Sequence, residues 1–411
     1  MANKEEIKIL KFINKRYIEI ILKKIEKTQN IEIKKYELKP ISNKGDYYNS
    51  VMVRVIIDYV VDIKDHLNIS LILKTGLDHV YDTSQFKDNG NTNLAEMSMY
   101  SEVLHKIHDL LRSVNDHTII CPEIYWQDKT TNSMIFEDLQ ERNYKCVNKR
   151  DRFDVEHTKL VLEKLAKYHA ASVILKTKES NLYNGLSNGF LTRNNNVAHS
   201  FLKEQYDSLI DVVSGWSNYD YYVKKLRGIR DRFIERGTEA FDPDEDFNVL
   251  THGDLWNNNM MFNYDNEGNP VDVIFVDFQR TTWTSPAVDF LNLIHTCIRE
   301  EFRLKKQDEL AQYYHNILWE TLTHGFHYNG KVPSLHELQV MILQRSMHVL
   351  VSGLLLQPLF LLDEHIQSGM FLAVSTDEAG RKFRKIVYSK PDVIKSIRNL
   401  LPYLDTKGLL D

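Results

Sequence analysis

The stretch VLTHGDLWNNNMMFNYDNEGNPVDVIFVDF, residues 249–278, decides how the rest of the sequence is interpreted. Three polar side chains in its first half, His252, Asp254 and Asn259, follow the spacing H-x-D-x-x-x-x-N. Isolated aspartates and asparagines usually belong to solvated turns, whereas this ordered combination is much rarer. The stretch therefore holds the strongest candidate functional residues of the chain.

The second half of the stretch predicts a β-hairpin. Two apolar runs, Met260–Phe262 and Val271–Val276, flank the turn-rich segment Asp265–Asn269, and this pattern is typical of two paired strands. The second run ends directly at Asp277. We therefore expect a loop that carries Asp254, then a hairpin, then a second aspartate at a strand end.

This set of side chains suits phosphoryl transfer. Such a site needs one carboxylate that accepts the proton of the attacking hydroxyl, and oxygen ligands that hold a metal ion on the phosphates. Asp254 is the candidate base. Asn259 and Asp277 are the candidate magnesium ligands, because hard cations prefer oxygen donors. His252 is expected to fix the loop by hydrogen bonding.

The same residues carry a resemblance to a known family. The segments HGDLWNNNMMF (252–262), VIFVDFQ (273–279) and SPAVDFL (285–291) resemble the ecdysteroid kinase-like family, a branch of the choline-kinase and aminoglycoside-phosphotransferase group. The resemblance extends more loosely from about Asn43 to about His295. It implies an α+β, protein-kinase-like bilobal fold, with a small antiparallel-sheet N-lobe and a large, mainly helical C-lobe.

The resemblance also implies a lobe boundary and a lysine–glutamate pair. It assigns residues 1–139 to the N-lobe and residues 140–411 to the C-lobe. Lys74 ends an apolar run, where a kinase needs a point charge that reaches the phosphates. Glu96 opens an amphipathic helix about 20 residues later and is placed to hold Lys74. The alternative interpretation is that Lys74 is a solvated residue at a strand end and that Glu96 is a surface residue.

Three β-rich runs, Tyr36–Ile41, Val51–Val61 and Ser70–Lys74, precede that helix. The turn between the first two runs contains Gly45 and ends at Ser50. In the fold that the resemblance implies, this turn covers the ATP phosphates with backbone N–H groups. It has a single glycine, which limits how closely the backbone approaches a phosphate, and an ordinary hairpin is the alternative.

Two later runs, Ile119–Trp126 and Asn132–Phe136, predict further strands. The second leads into Glu137-Asp138-Leu139, where the resemblance places the hinge between the lobes. Adenine bonds to hinge backbone groups, so the expected contacts come from the backbone of Glu137 and Leu139. A plain strand end is the alternative interpretation.

Two more polar residues are expected to be structural. Asp289 lies at the start of the helix that follows the stretch, and it could cap that helix or anchor the candidate catalytic loop. His169 lies on the apolar side of a predicted helix, and we interpret it as a packed core histidine.

Composition indicates which classes of partner and which cellular compartment to expect. The 411 residues include 52 Lys and Arg and 57 Asp and Glu, a net charge of −5, which favours neither nucleic acid nor an anionic membrane. Three widely spaced cysteines, Cys121, Cys146 and Cys297, suggest a reducing compartment such as the cytoplasm. The charged start and the lack of a long apolar run predict no signal core and no membrane span. The oligomeric state is not determined by the sequence.

The expected activity is ATP- and Mg²⁺-dependent transfer of the γ-phosphoryl group to a small-molecule alcohol. An ecdysteroid-like sterol or a hydroxylated foreign compound is the first candidate acceptor, since aromatic-rich segments between about residues 177 and 245 would suit a rigid lipophilic molecule. A choline- or aminoglycoside-type acceptor is the near alternative. A non-catalytic nucleotide-binding protein is the competing class. The short segment after Asp277 lacks the A-P-E motif of protein kinases, which argues against a protein substrate.

Overall fold

The computed structural model describes residues 12–41, 50–62, 65–76, 92–186, 189–362 and 371–411. These residues form two compact units. The described part of the first unit lies within residues 12–76 and 121–145, and that of the second within 92–120, 146–362 and 371–411. The lobe boundary at residue 139 stays a prediction, and the helical segment 92–120 groups with the second unit.

The first unit is built on a five-stranded antiparallel sheet with strand order β1-β2-β3-β5-β4. Its strands are β1 (Ile31–Pro40), β2 (Ser50–Val61), β3 (Asp65–Gly76), β4 (Ile124–Asp128) and β5 (Ser133–Glu137). Alternate residues of β2 are buried from Val51 to Ile57, as expected for a sheet with one covered face.

Helix α1 (Lys15–Ile25) supplies the cover for that face. It begins after Asn14, whose side chain accepts a hydrogen bond from the Tyr17 N–H at 3.0 Å, a typical N-cap. Its buried residues Ile18 and Leu22 belong to the same hydrophobic cluster as the inward side chains of the sheet. The sequence predicts this helix over residues 5 to about 27, of which residues 5–11 lie outside the described part.

Strand β1 begins earlier than the sequence pattern predicts. The predicted run starts at Tyr36, whereas β1 starts at Ile31. Ile31 and Ile33 lie opposite Val61 and Tyr59 in the antiparallel ladder, so the alternation of apolar and polar residues extends towards the N-terminus.

Strand β4, by contrast, begins later than predicted. The pattern predicts a strand over Ile119–Trp126, whereas the observed strand covers Ile124–Asp128. The N–H of Ile120 donates instead to Nε2 of His108 at 2.9 Å, within the second unit. Pro122 has no N–H group and cannot donate a hydrogen bond to a neighbouring strand. Strand pairing therefore starts beyond it.

A buried carboxylate fixes the end of β5. Oδ2 of Asp138 accepts hydrogen bonds from Arg54 Nε and Ser70 Oγ, both at 2.6 Å, and Oδ1 accepts the Gln140 N–H at 3.1 Å. Asp138 is 5% exposed. The segment after β5 is therefore connected through one side chain to β2 and β3.

The second unit is mainly helical. Its helices are α2 (Thr92–Ser98), α3 (Leu104–Ser113), α4 (Val155–Lys178), α5 (Asn196–Ser214), α6 (Asp220–Ile229), α7 (Phe233–Glu239), α8 (Ala287–Cys297), α9 (Glu300–Arg303), α10 (Gln307–Glu320), α11 (Leu335–Gln344), α12 (Met347–Val349), α13 (Gln357–Phe360), α14 (Phe371–Val374), α15 (Glu378–Tyr388) and α16 (Pro391–Thr406). The π-helical segments are Met99–Val103, Thr321–Gly325 and Leu350–Leu356, and the 3-10 turns are Leu139–Arg142 and Asn257–Asn259. Helix α4 is central, since it packs against α3, α10 and two of the short strands.

The short strands are β6 (Lys145–Cys146), β7 (Val249–Thr251), β8 (Met260–Tyr264), β9 (Pro270–Phe275) and β10 (Thr282–Thr284). Strands β8 and β9 pair antiparallel, with Met260 opposite Phe275, which confirms the predicted hairpin. Its turn is held by Oδ1 of Asp265, which accepts the Asn269 N–H at 2.8 Å, and by the left-handed Gly268.

These units confirm the α+β class of the kinase-like fold expected from the sequence: an antiparallel sheet in the first part, and helices in the second. Among the described residues, no single helix is long and apolar enough to cross a membrane. The helical segments Leu335–Gln344 and Met347–Phe360 are long and apolar enough only when they are taken together, and they are bent by 53° at their junction.

Replacement of Asp138 by Asn is expected to lower the free energy of unfolding by about 2 kcal/mol, because a hydrogen bond to a charged group contributes about 1.5–3 kcal/mol. The amide keeps the shape of the side chain but removes the charge that Arg54 contacts. Urea unfolding measures the change. The matched control is Glu141→Gln, an exposed position in the next turn. Equal losses in both variants would contradict the role given to Asp138.

His348 predicts a pH dependence of stability. Its two ring nitrogens have no hydrogen-bond partner among the described residues, and burial lowers its pKa to about 4. In the unfolded chain the pKa of this histidine is near 6.5, so its side chain binds a proton at pH values at which the folded chain does not. Stability therefore falls as the pH drops from about 6.5 towards 4, by up to about 1.4 kcal/mol per pH unit from this group.

His348→Phe should reduce the slope of unfolding free energy against pH by the contribution of about one bound proton. Denaturant unfolding at several pH values between 4.5 and 7.5 checks it. His336→Phe, at an exposed position on α11, is the control and should leave the slope unchanged. An unchanged slope in His348→Phe would show that the histidine binds its proton as readily in the folded chain as in the unfolded chain.

Candidate active site

The loop that carries Asp254 is held at both ends by strands. It leaves β7, whose Thr251 pairs with Thr282 of β10, and it enters β8 through the 3-10 turn Asn257–Asn259. At its start, Gly253 has a left-handed backbone with φ of +78°, and a Cβ atom there would overlap the carbonyl oxygen of Arg280. The loop therefore requires glycine at residue 253.

A buried carboxylate anchors the loop. Asp289, in the first turn of α8, accepts the N–H of His252 at 2.6 Å through Oδ2 and the N–H of Gly253 at 2.9 Å through Oδ1. Burial raises the pKa of Asp289, but its hydrogen bonds, with that from His169 first, lower it below its ordinary value. The predicted anchoring role of Asp289 is confirmed, and the group stays ionised.

His169 is the packed core histidine that the sequence predicts. Nε2 lies 3.1 Å from Oδ2 of Asp289, and Nδ1 lies 2.7 Å from the hydroxyl oxygen of Tyr314. Burial lowers the pKa of His169, so the ring is neutral. It then donates from Nε2 to the carboxylate and accepts the tyrosine hydroxyl at Nδ1, which connects α10 to the loop through α4 and α8.

His252 bridges the loop to the end of the hairpin. Nε2 donates to the carbonyl oxygen of Val276 at 3.0 Å, and Nδ1 accepts the N–H of Asp254 at 3.3 Å. Burial lowers the pKa of His252, and both ring nitrogens are occupied. The side chain therefore holds the loop against the residue that precedes Asp277, as expected, and is not placed to exchange protons with a substrate.

The structure brings Asp254 and Asn259 into direct contact. Nδ2 of Asn259 donates to the carbonyl oxygen of Asp254 at 2.9 Å and to its carboxylate Oδ2 at 3.3 Å. The carbonyl oxygen of Asn259 accepts the N–H of Val276 at 3.0 Å. Because the amide nitrogen is engaged with Asp254, the side-chain oxygen Oδ1 is the atom of Asn259 that could bind a cation.

Asp277 follows β9 in a left-handed backbone conformation, with φ of +70°. Aspartate tolerates this region better than most residues, and the conformation persists where its surroundings hold it. Oδ2 of Asp277 accepts a hydrogen bond from Nε2 of the buried Gln279 at 3.1 Å. The sequence interpretation missed Gln279, whose position two residues after Asp277 was the available signal.

The donor set fits a magnesium ion that is also bound to substrate phosphates. Within the described ranges, no group of three or more His, Cys, Asp or Glu side chains could form an all-protein metal site. Mg²⁺ usually takes only one or two protein carboxylates and completes its shell with phosphates and water. One carboxylate, Asp277, and one amide oxygen, Asn259, meet that requirement.

The predicted phosphate-binding residues of the first unit lie on two adjacent strands. Lys74 is on β3, opposite Met52 of β2 and Met134 of β5, and is 4% exposed. Ser50 is the first residue of β2. Gly45 lies outside the described residues, so the phosphate loop stays a prediction.

Glu96 lies on α2 and is 1% exposed. It belongs to the second unit, whereas Lys74 belongs to the first. Both side chains are buried, and their pairing stays a prediction.

The hinge residues predicted from the sequence flank Asp138. The carboxylate Oε1 of Glu137 accepts the N–H of Glu123 at 2.9 Å. The carbonyl oxygen of Leu139 accepts the N–H of Tyr144 at 3.0 Å, and the adenine contacts of the Glu137 and Leu139 backbone stay a prediction. The sequence interpretation gave Asp138 no role, because its partners lie far away in the chain.

Comparison with known proteins gives one family. Residues 44–325 match the model of the ecdysteroid kinase-like family. None of the curated proteins matches the chain significantly.

Among solved structures, the chain is similar to the microcompartment-associated aminopropanol kinase, with 12% identity and a TM-score of 0.47 over 97% of this chain and 100% of that one. It is also similar to choline kinase LicA from Streptococcus pneumoniae, with 15% identity and a TM-score of 0.33 over 80% of this chain and 99% of that one. These distant similarities carry no information about the substrate.

Gly253→Ala is expected to destabilise the protein by about 3 kcal/mol or more, because the left-handed backbone costs about 1–2 kcal/mol and the added Cβ displaces a backbone carbonyl. Gly268→Ala is the matched control, since its φ is +87° and nothing lies within 4 Å of the added Cβ. Urea unfolding of both variants separates backbone strain from the clash. Equal losses would mean that the contact with Arg280 does not constrain the loop.

Proposed function

The chain belongs to the ecdysteroid kinase-like family, a family of small-molecule kinases, and we propose that it transfers the γ-phosphoryl group of ATP to an alcohol hydroxyl with the help of Mg²⁺. One observation carries the proposal. Asp254 and Asn259 are in direct contact, and His252 and Val276 connect both to the strand end that delivers Asp277. These are the three side chains that the reaction needs.

Asp254 is the group that receives the acceptor's proton. As the hydroxyl oxygen forms its bond to the γ-phosphorus, the bond from that phosphorus to the bridging oxygen breaks and ADP leaves. The hydroxyl proton passes to the carboxylate of Asp254. The hydrogen bond from Asn259 holds Oδ2 of this carboxylate in place, and orientation of this kind supplies much of the rate in phosphoryl transfer.

Asn259 and Asp277 would hold the magnesium ion, through the amide Oδ1 and the carboxylate. Bound there, Mg²⁺ neutralises charge on the phosphates. The hydrogen bond from Gln279 to Oδ2 of Asp277 favours the use of the other carboxylate oxygen as the ligand.

The remaining assignments concern ATP. Lys74, held by Glu96, would contact the phosphates, and the turn that contains Gly45 and ends at Ser50 would cover them. The backbone of Glu137 and Leu139 would bind adenine. Lys74 and Glu96 are both buried, which supports a role for each that is not a solvated surface position.

The acceptor that we propose is an ecdysteroid-like sterol or a hydroxylated foreign compound, as the family description suggests. Choline- and aminoglycoside-type acceptors are the alternatives that the test below separates. Binding of nucleotide without catalysis is disfavoured, because Asp254, Asn259 and Asp277 are all present. A cytoplasmic location is part of the proposal and is supported by three free thiols, Cys121, Cys146 and Cys297.

The test is transfer of labelled γ-phosphate from MgATP to a panel of ecdysteroids, other sterols, phenolics, choline and aminoglycosides. Asp254→Asn should lower kcat by roughly a hundredfold or more, the usual contribution of a general base, while ATP binding by calorimetry stays within about twofold of wild type. Asp231→Asn, the same change at an exposed position, is the control and should keep full activity.

Each outcome has a distinct meaning. Transfer to one class of acceptor that Asp254→Asn loses supports the proposal and names the acceptor chemistry. Equal transfer by Asp254→Asn would show that the base is wrongly assigned. ATP binding without transfer to any member of the panel would favour the non-catalytic class.

A further inference from the structure

A cavity of about 550 Å³ lies within the second unit, and none of its lining residues is among the base, metal-binding or ATP-binding residues proposed above. Its walls come from the end of α4, the loop that follows α4, the residues after α7, and β10. The residues that give it its chemical character are Lys176, Tyr183, Leu191, Arg193, Phe241 and Trp283. Its volume falls within the range of small-molecule binding sites, about 300–1,000 Å³.

Aromatic rings line this cavity, and other contacts fix them in place. The rings of Tyr183 and Trp283 lie 5.3 Å apart between centroids at an interplanar angle of 35°. The hydroxyl of Tyr183 donates to the carbonyl oxygen of Ser172 at 2.8 Å. The ring of Phe241 packs edge-on against that of His348 at 4.7 Å. These walls are preformed, so a flat apolar ligand would lose little free energy in ordering them.

A lysine ammonium occupies the aromatic corner. Nζ of Lys176 lies 5.3 Å from the ring centroid of Tyr183 and 5.7 Å from that of Trp283. It donates a hydrogen bond to the carbonyl oxygen of Ser180. Across the described segments no carboxylate forms an ion pair with this ammonium.

The other charges at the cavity cancel. Arg193 and Asp242 form an ion pair at 2.6 Å, with side chains 58% and 51% exposed. Two opposite charges in contact present little net field to a ligand. The net charge of the cavity lining is therefore that of Lys176.

We propose that this cavity binds a small anion with a flat apolar body, such as an aromatic or alicyclic carboxylate or sulfate. Lys176 would contact the anionic group, and Tyr183, Phe241 and Trp283 would contact the body. A quaternary ammonium is excluded from this cavity, because Lys176 already fills the aromatic corner and would repel a second cation. The inference does not depend on the proposed kinase activity.

The cavity is connected to the candidate catalytic loop. Thr282 lines it and belongs to β10. The hydroxyl of Thr251 donates to the carbonyl oxygen of Thr282 at 2.8 Å, and Asp254 follows three residues after Thr251. An occupied cavity would therefore contact the strand pair from which the loop emerges.

The test uses three probes with one ring system and different charges: naphthalene-2-sulfonate, 2-naphthol and a 2-naphthyl-trimethylammonium salt. Isothermal titration calorimetry on the full chain, without nucleotide, measures their affinities. The expected order is sulfonate, then naphthol, then the ammonium salt. Lys176→Met should weaken sulfonate binding by roughly tenfold, which is the loss of a charge-assisted contact, and should leave naphthol within about twofold. Trp283→Ala should weaken both naphthol and the sulfonate.

Lys178→Met is the matched control, because Lys178 is exposed on the last turn of the same helix and does not line the cavity. It should keep the sulfonate affinity of wild type. Lys176→Gln serves as a second variant if the methionine variant is unstable by circular dichroism. The comparison of the three probes on the wild-type chain needs no variant.

Three results would overturn the proposal: equal affinity for all three probes, an equal loss of sulfonate affinity in Lys176→Met and Lys178→Met, or no binding of any probe. None of them bears on phosphoryl transfer, which is measured separately in the absence of these probes. Conversely, a chain that transfers no phosphate but prefers the sulfonate through Lys176 would retain this inference and lose the proposed function.

Discussion

The buried carboxylate of Asp289 is the constraint on which the candidate active site depends. It accepts the N–H groups of His252 and Gly253, two consecutive residues of one loop. A fully buried charge is costly unless it is hydrogen-bonded on several sides, and here two backbone groups and one imidazole satisfy it. The same bonds that keep this carboxylate ionised therefore fix the position from which Asp254 is presented.

Two buried histidines extend this arrangement because burial keeps both rings neutral. A neutral imidazole offers one donor and one acceptor. His169 uses them on Asp289 and Tyr314, and His252 uses them on Val276 and Asp254. A protonated His252 would present two donors and lose the hydrogen bond from the Asp254 N–H, whereas a protonated His169 could still donate to the hydroxyl oxygen of Tyr314. The loop geometry is therefore coupled to the protonation state of groups that do not touch a substrate.

Local patterns made part of this arrangement predictable from sequence. The hairpin, the loop between its flanking strands and the buried His169 followed from alternation, turn residues and helical spacing within a few tens of residues. Asp138 was not predictable, because what it does depends on Arg54 and Ser70, which folding brings close to it. Gln279 lies only two residues after Asp277, but that spacing alone does not reveal that its side chain bonds the carboxylate. The late start of β4 depends on Pro122 and on the hydrogen bond from Ile120 to His108, which the apolar run alone does not reveal.

Asp289 holds the loop through main-chain N–H groups, which every residue except proline possesses. The fastening of the loop is thus largely independent of the side chains at its tip. A descendant of this chain could exchange the exposed residue Asn258 while the anchor stays intact. The requirement for glycine at residue 253 and for an acid at residue 289 would persist even in relatives whose chemistry has diverged, so that inheritance of the scaffold and inheritance of the reaction are separable.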